Sequence, residues 1–366
     1  MLIILAITTA FTVAFILLPV IIKVSRSIDL LDAPDRRKIH NVSTPALGGI
    51  GIFIGGITAA TMTIPFAELA GLKFLFFGLL IIFFMGLRDD ISSLVAKHKL
   101  FAQIFAAILI VVFSDIQLRG LYGIFGINEM PIWFNIPFTI FVIVALTNSF
   151  NLIDGVDGLA GSVSILILTF FGTAFMFLGL DAYGIFAFSI AGAVFAFLFF
   201  NWHPSKVFMG DTGSMILGFV ISALAIEFIN SSPQIDILGL SINSPVGVAI
   251  GALIVPIFDT LRVFVIRFIN GKNPLDPDRN HLHHGLLKLG FNHSQVTLTL
   301  LGLNVFILLT ILVLDSFVGN LGLILTSIAI AGGLSLILGL KLSKKRFMGK
   351  EAAVLTKSNL YISKSA

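Results

Sequence analysis

The sequence predicts an all-α polytopic membrane protein of about eleven transmembrane helices, with the N-terminus outside and the C-terminus cytoplasmic. Three observations predict it. Of 366 residues, 57% are hydrophobic and 11% charged, whereas soluble chains run at roughly 45–50% and about 25%. The apolar residues, 37 Phe among them, gather in runs near the ~20 residues that a span needs. Nearly all Lys and Arg fall in alternate gaps between those runs. This composition excludes a soluble enzyme, a disordered chain and a nucleic-acid binder, despite a pI near 9.3. With no Cys, it also excludes disulfides and thiol chemistry.

In order, the spans fall near 2–22, 46–67, 69–87, 100–114, 131–150, 159–180, 183–200, 212–229, 245–269, 296–314 and 320–340. The first has no basic leader and no small-x-small cleavage site, so it reads as an anchor. The second and third are nearly continuous. Loops average about a dozen residues, leaving no room for a soluble domain. The chain divides into an integral membrane domain over 1–340 and a basic cytoplasmic tail over 341–366, a topology signal beside anionic lipid.

The positive-inside rule sets the orientation. Twenty-one of the 23 Lys and Arg fall on one side, and only Lys73 and Arg119 on the other. All seven His, and the acids Asp89, Asp90, Asp154, Asp157, Asp211, Asp276 and Asp278, share the basic side. Chemistry is therefore expected at the cytoplasmic face.

Five loops there carry it. Asp35-Arg-Arg-Lys-Ile-His40 followed by Thr44-Pro-Ala-Leu-Gly-Gly49 reads either as a plain topology signal or as an anion site at a helix start. Asp89 and Asp90 close the third span, where a helix C-terminus disfavours negative charge. A divalent cation or charged substrate would compensate. Asn148-Ser-Phe-Asn151-Leu-Ile-Asp154-Gly-Val-Asp157-Gly spaces two Asn and two Asp at three-residue intervals, with Asp-Gly turns. Asn201-Trp-His-Pro204 precedes Phe208-Met-Gly-Asp211-Thr-Gly-Ser214 at a span start. There Asp211 reads as an N-cap or as part of a phosphate and Mg²⁺ site. His281-Leu-His-His284, with Arg267, Lys272 and Arg279 nearby, reads as a phosphate receptor or as a transition-metal site. Asp259, inside the ninth span, is either a functional intramembrane charge or the partner of Arg262 at i, i+3.

Together these motifs resemble the polyprenyl-phosphate N-acetylhexosamine-1-phosphate transferases, relatives of the phospho-N-acetylmuramoyl-pentapeptide transferase, along essentially the whole chain. The resemblance implies a Mg²⁺-dependent enzyme, Mn²⁺ being an alternative, in the bacterial inner membrane. It would move an N-acetylhexosamine-1-phosphate from a UDP-sugar to undecaprenyl phosphate and release UMP. It implies Asp211 as the metal ligand and Asp89, Asp90, Asp154 and Asp157 as catalytic. Lys38, Asn148, Asn151, Gly155, Asn201, Phe208, Arg267, His281, His283 and His284 would bind substrate, with Phe208 on uracil. A homodimer is implied by analogy alone. Leu282 interrupts what looks like three consecutive His in the peptidoglycan branch, which favours UDP-GlcNAc over the muramoyl-pentapeptide donor. Against a transporter stand the placement of charge at span ends rather than the midplane and the lack of matching halves.

Overall fold

A computed structural model of the chain describes residues 1–28, 30, 44–231, 235–237, 240–273 and 280–364, with side chains given except at 235–237, 240, 241 and 346–364. Lys38, and with it Arg36, Arg37, His40, Asp276, Asp278 and Arg279, lies outside the described residues. The helices are α1 (Leu2–Ser27), α2 (Gly48–Thr63), α3 (Phe66–Leu69), α4 (Lys73–Ile91), α5 (Ala96–Phe113), α6 (Ile132–Ile153), α7 (Leu159–Phe177), α8 (Asp181–Asn201) and α9 (Gly210–Ser231). A short antiparallel pair follows, β1 (Ile235–Ile237) and β2 (Leu240–Ile242), with Ile235 opposite Ile242. Then come α10 (Pro245–Ala252), α11 (Ile254–Ile269), α12 (Leu282–Leu289), α13 (His293–Leu314) and α14 (Asn320–Lys364).

Each of the eleven expected segments contains a helix, yet they are not alike. Among the described residues, nine helices are long and apolar enough to cross a bilayer, or ten if α10 and α11 form one span. α2, with 16 residues, is shorter than a full crossing. α10 and α11 meet at 79°. The bend has a local cause: Pro256 has no N–H to give the Ala252 carbonyl one turn back. The buried Asn304 of α13 repairs the gap, donating to the Ala252 carbonyl at 2.9 Å and accepting from the Val255 N–H at 3.3 Å. In a bilayer such a repair is required, because no water is there to do it.

α9 is the central helix, packed by α6, α4, α2 and α7 and buried along almost its whole length. Outer helices turn apolar side chains outward instead, among them Ile16, Phe77, Phe84, Phe306 and Leu336, as a lipid-facing surface does. Helices in lipid associate by close packing of small residues, and this happens where the polar residues gather. A methyl on Gly86 of α4 would stand 2.5 Å from the Thr212 Cα, and one on Gly49 of α2 would stand 2.2 Å from the Gly213 nitrogen. Both approaches pin the first turn of α9.

Candidate active site

The start of α9 is held by two sequence-distant segments. Backbone bonds join Phe208 N–H to the Pro45 carbonyl (2.8 Å), Gly48 N–H to the Phe208 carbonyl (2.9 Å) and Gly49 N–H to the Met209 carbonyl (2.9 Å). The Gly48 and Gly49 N–H groups, which one reading of the sequence offered to an anion, are spent on the chain itself. Phe208 is half-buried at this junction. Gly210 turns the chain with φ +73°, a left-handed conformation suited to glycine. A side chain there would also meet the Ala46 carbonyl oxygen at 2.0 Å and Asp90 Oδ2 at 2.6 Å.

Asp90 reaches from the last turn of α4 to cap α9. Its Oδ1 accepts from Asp211 N–H (2.8 Å), and its Oδ2 accepts from Thr212 N–H (3.0 Å) and Thr212 Oγ1 (2.5 Å). Both oxygens thus serve α9's orphan donors, which its positive dipole end favours. The charge that α4's C-terminus disfavours is offset by a second helix's N-terminus. In this geometry both Asp90 oxygens position the start of α9.

Asp89 faces the other way. Its Oδ1 accepts from Leu94 N–H at 2.6 Å, and its Oδ2 pairs with Lys99 Nζ. Lys99, in the first turn of α5, also binds Asp211 Oδ2 at 2.6 Å. Asp211 Oδ1 accepts from Asn151 Nδ2 at 2.9 Å, and Asn151 reaches Ser214 Oγ as well. Asp211 is not an N-cap, because its own carboxylate points away from the helix end. Asn148, one turn before Asn151, does not reach this group: its amide donates to Gln103 Oε1 at 2.8 Å and to the Val144 carbonyl. Gln103 in turn lies one helical turn beyond Lys99.

Asp154 completes the cleft between α6 and α7. Among the described residues its carboxylate has no hydrogen bond or ion pair. Burial, then the charges of Asp211, Asp90 and Asp157, push its pKa up to about 8. Two carboxylates, Asp89 and Asp211, thus share one ammonium with Asp154 nearby, a surplus of hard oxygen donors of the kind that suits a divalent cation such as Mg²⁺. Asp211 and Asp154 are the residues that could hold one.

The His run is anchored from inside the membrane domain. Asp259 Oδ1 accepts from Leu282 N–H at 2.7 Å, and its Oδ2 lies 2.9 Å from His281 Nδ1. Arg262 is not its partner; it bonds Ser335 Oγ and the Asn280 carbonyl. His283 stacks on His281 with centroids 5.4 Å apart and meets His284 at a tilt, 4.3 Å away. Burial, reinforced by His284, lowers its pKa to about 3, so it is neutral at working pH. Its Nε2 lies where a methyl on Gly155 would be, at 2.6 Å, which brings the His run beside Asp154. Gly155→Ala should therefore cost about 1–3 kcal/mol by overpacking, read as a lowered Tm. Adding His283→Ala should recover part of that loss, the mark of direct coupling. Arg267 is buried and donates to the Asn273 carbonyl at 3.2 Å, at the root of segment 274–279.

Asp157, three residues after Asp154, pairs with two histidines. His203 Nδ1 and His293 Nδ1 lie 2.7 and 3.2 Å from its Oδ2. Burial would raise its pKa, but these two imidazoles, with a weaker pull from Ser205, hold it down to about 2. Asn201 supports the same corner, accepting from Gly158 N–H at 2.8 Å and donating to the Val207 carbonyl at 2.9 Å. Lys99, Gln103, His203 and His293 were not foreseen as site residues. Lys99 had been absorbed into the topology count, although a Lys four residues before Gln at the start of an apolar helix is a usable signal.

Comparison with known proteins fits this arrangement. The Glycosyl transferase family 4 model matches residues 72–229, which include Asp89, Lys99, Asn151, Asp154 and Asp211. A Bacillus subtilis (strain 168) protein named a probable undecaprenyl-phosphate N-acetylglucosaminyl 1-phosphate transferase is 32% identical over 306 residues, 81% of each chain. The chain belongs to the polyprenyl-phosphate N-acetylhexosamine-1-phosphate transferase family. Undecaprenyl-phosphate alpha-N-acetylglucosaminyl 1-phosphate transferases of Escherichia coli (strain K12) and Salmonella typhi are each 30% identical. They align over 75% and 78% of this chain and 73% and 76% of their own. This transferase is accordingly a phosphoglycosyltransferase, and its carboxylate cleft is the candidate for phosphoryl transfer.

Proposed function

We propose that the enzyme transfers GlcNAc-1-phosphate from UDP-GlcNAc to undecaprenyl phosphate, at the cytoplasmic face of the bacterial inner membrane, and releases UMP. The observation that carries this reading is Lys99 bridging Asp89 and Asp211, with Asn151 on Asp211 and an unpartnered Asp154 beside them. The relatives' names supply the sugar and the lipid.

In the reaction, an oxygen of the lipid phosphate forms a bond to the sugar-linked phosphorus. The bond from that phosphorus to the bridging oxygen breaks, and UMP leaves with the electron pair. Two anions must meet, so charge compensation and positioning carry the catalysis. Mg²⁺, when bound, would supply Lewis-acid charge for the diphosphate. Asp211, steered by Lys99 and Asn151, and Asp154 would hold it. Asp89, held by Leu94 N–H and Lys99, would take the remaining proton from the lipid phosphate. Neutral His283, with His281 and His284, would present imidazoles to the sugar phosphate, and half-buried Phe208 would pack on uracil.

UMP release by the purified protein with undecaprenyl phosphate and Mg²⁺ tests the proposal. Turnover with UDP-GlcNAc, abolished by EDTA, is expected. Turnover only with UDP-GalNAc or with UDP-MurNAc-pentapeptide would replace the donor, and none with any donor would overturn the reaction. A pH dependence follows from Asp154. Metal binding requires the carboxylate, so it must displace the proton held up to a pKa of about 8. The Mg²⁺ concentration for half-maximal rate should rise towards tenfold per unit as pH falls below that value. Asp154→Asn should remove the slope.

A further inference from the structure

The corner opposite the cleft holds a group that the proposed reaction does not use. The carboxylate of Asp157, in the turn before α7, is met by the ring of His203, from the loop after α8, and by His293, the first residue of α13. One ligand-type atom from each lies within 4.8 Å of the other two. Both imidazoles present the same nitrogen, Nδ1, to the same oxygen, Oδ2, while Asp157 Oδ1 is buried without a hydrogen bond. The carboxylate side chain is 3% exposed. The rings stack at 4.8 Å. His293 Nδ1 also accepts from the Asp157 N–H at 3.3 Å, which turns a lone pair of that ring into the cluster.

We propose that Asp157, His203 and His293 form a binding site for a divalent transition metal of the Zn²⁺ class, separate from the carboxylate cleft. Two imidazoles, one carboxylate and an open fourth position are a familiar Zn²⁺ donor set, with ligand distances of about 2.0–2.2 Å. Ligand atoms around a tetrahedral Zn²⁺ stand roughly 3.3–3.6 Å apart, so the nitrogen–oxygen separations of 2.7 and 3.2 Å would open by a few tenths of an ångström or more as the ion enters. His203, 41% exposed, supplies the entry path and has room to adjust, whereas Asp157 and His293 are fixed. Thr297 Oγ1 holds the Asp157 carbonyl at 2.9 Å, and Asn201 holds the next N–H. Imidazole ligands favour Zn²⁺ over Mg²⁺, which distinguishes this site from the all-oxygen cleft. A bound ion would tie α7, the loop after α8 and α13 together three residues from Asp154.

The test is equilibrium dialysis of tag-free, EDTA-stripped full-length protein in detergent against Zn²⁺ with excess Mg²⁺, read by elemental analysis and by Tm. About one Zn²⁺ per chain and a raised Tm are expected. Both should be lost or weakened at least tenfold in His203→Ala, whose exposed position leaves the fold intact, and in His293→Gln. Asp211→Asn should bind Zn²⁺ normally, and so should His284→Ala, which controls for the other imidazole cluster. No stoichiometric Zn²⁺ in the unaltered protein, or equal binding in His203→Ala, would overturn the proposal. Because the readout is metal content rather than UMP release, failure of the proposed reaction leaves this result interpretable, and the reverse holds too.

Discussion

Asp211→Asn should lower kcat by about a thousandfold or more, about 4 kcal/mol of barrier, while Tm changes little. The substitution keeps the shape of the side chain, and Asn151 can still donate to the remaining carbonyl oxygen. What goes is the negative charge that Lys99 neutralises and that a cation on the diphosphate would need. The burden falls on the transition state, where charge develops between two phosphates in a site with limited solvent. Steady-state kinetics with a parallel thermal melt checks this. A loss of Tm as large as the loss of rate would show that Asp211 is structural instead.

Asp90→Ala should do the converse, with stability falling first and activity following. The change leaves Asp211 N–H, Thr212 N–H and the Thr212 hydroxyl without their acceptor. Each buried donor so orphaned costs about 1–3 kcal/mol, and the lost charge at α9's N-terminus adds about 0.3–1 kcal/mol. A loss of several kcal/mol is expected, seen as a markedly lower Tm and poor recovery from the membrane. Asp90→Asn retains one acceptor oxygen and should lose less. Asp89→Asn should leave Tm nearly intact and remove activity. The contrast between the adjacent aspartates is the informative measurement: equal effects on Tm would refute the division of roles drawn here.

The helices were legible because a bilayer makes their signal long and local: some twenty apolar residues in a row, with charges at the ends. The exceptions have identifiable causes. α2 is short because Ile64, before Pro65, turns extended and ends the helix, and α10 parts from α11 because Pro256 removes a bond that Asn304 restores. The site was legible in part. Asp211, Asn151, Asp154 and Asp89 do converge, because an acid or amide inside apolar sequence needs a reason to be there. The assignment of partners was not legible, since partners are chosen in three dimensions. Lys99 reaches Asp211 across 112 positions, Asp90 reaches the same turn across 121, and Asp157 finds His293 across 136. No spacing rule spans such intervals. Thus Asp90 proved a cap, Asp157 a histidine partner and Asn148 a neighbour of Gln103. Asp259 proved to be the anchor of the His run rather than the mate of Arg262.

The backbone junction between residues 45–49 and 208–209 also sets a schedule. A ribosome adding about 5–20 residues per second needs on the order of ten to thirty seconds to travel from Gly49 to Asp211. Throughout that interval α2 lacks the segment that completes its start, and for most of it Asp89 and Asp90 stand at the end of α4 without the helix they meet. The catalytic corner therefore cannot be stored as a finished early half awaiting additions. It comes into being in one late event, when nascent α9 threads between helices already delivered to the bilayer. An enzyme cut short during synthesis before that point would carry most of its spans and none of its chemistry.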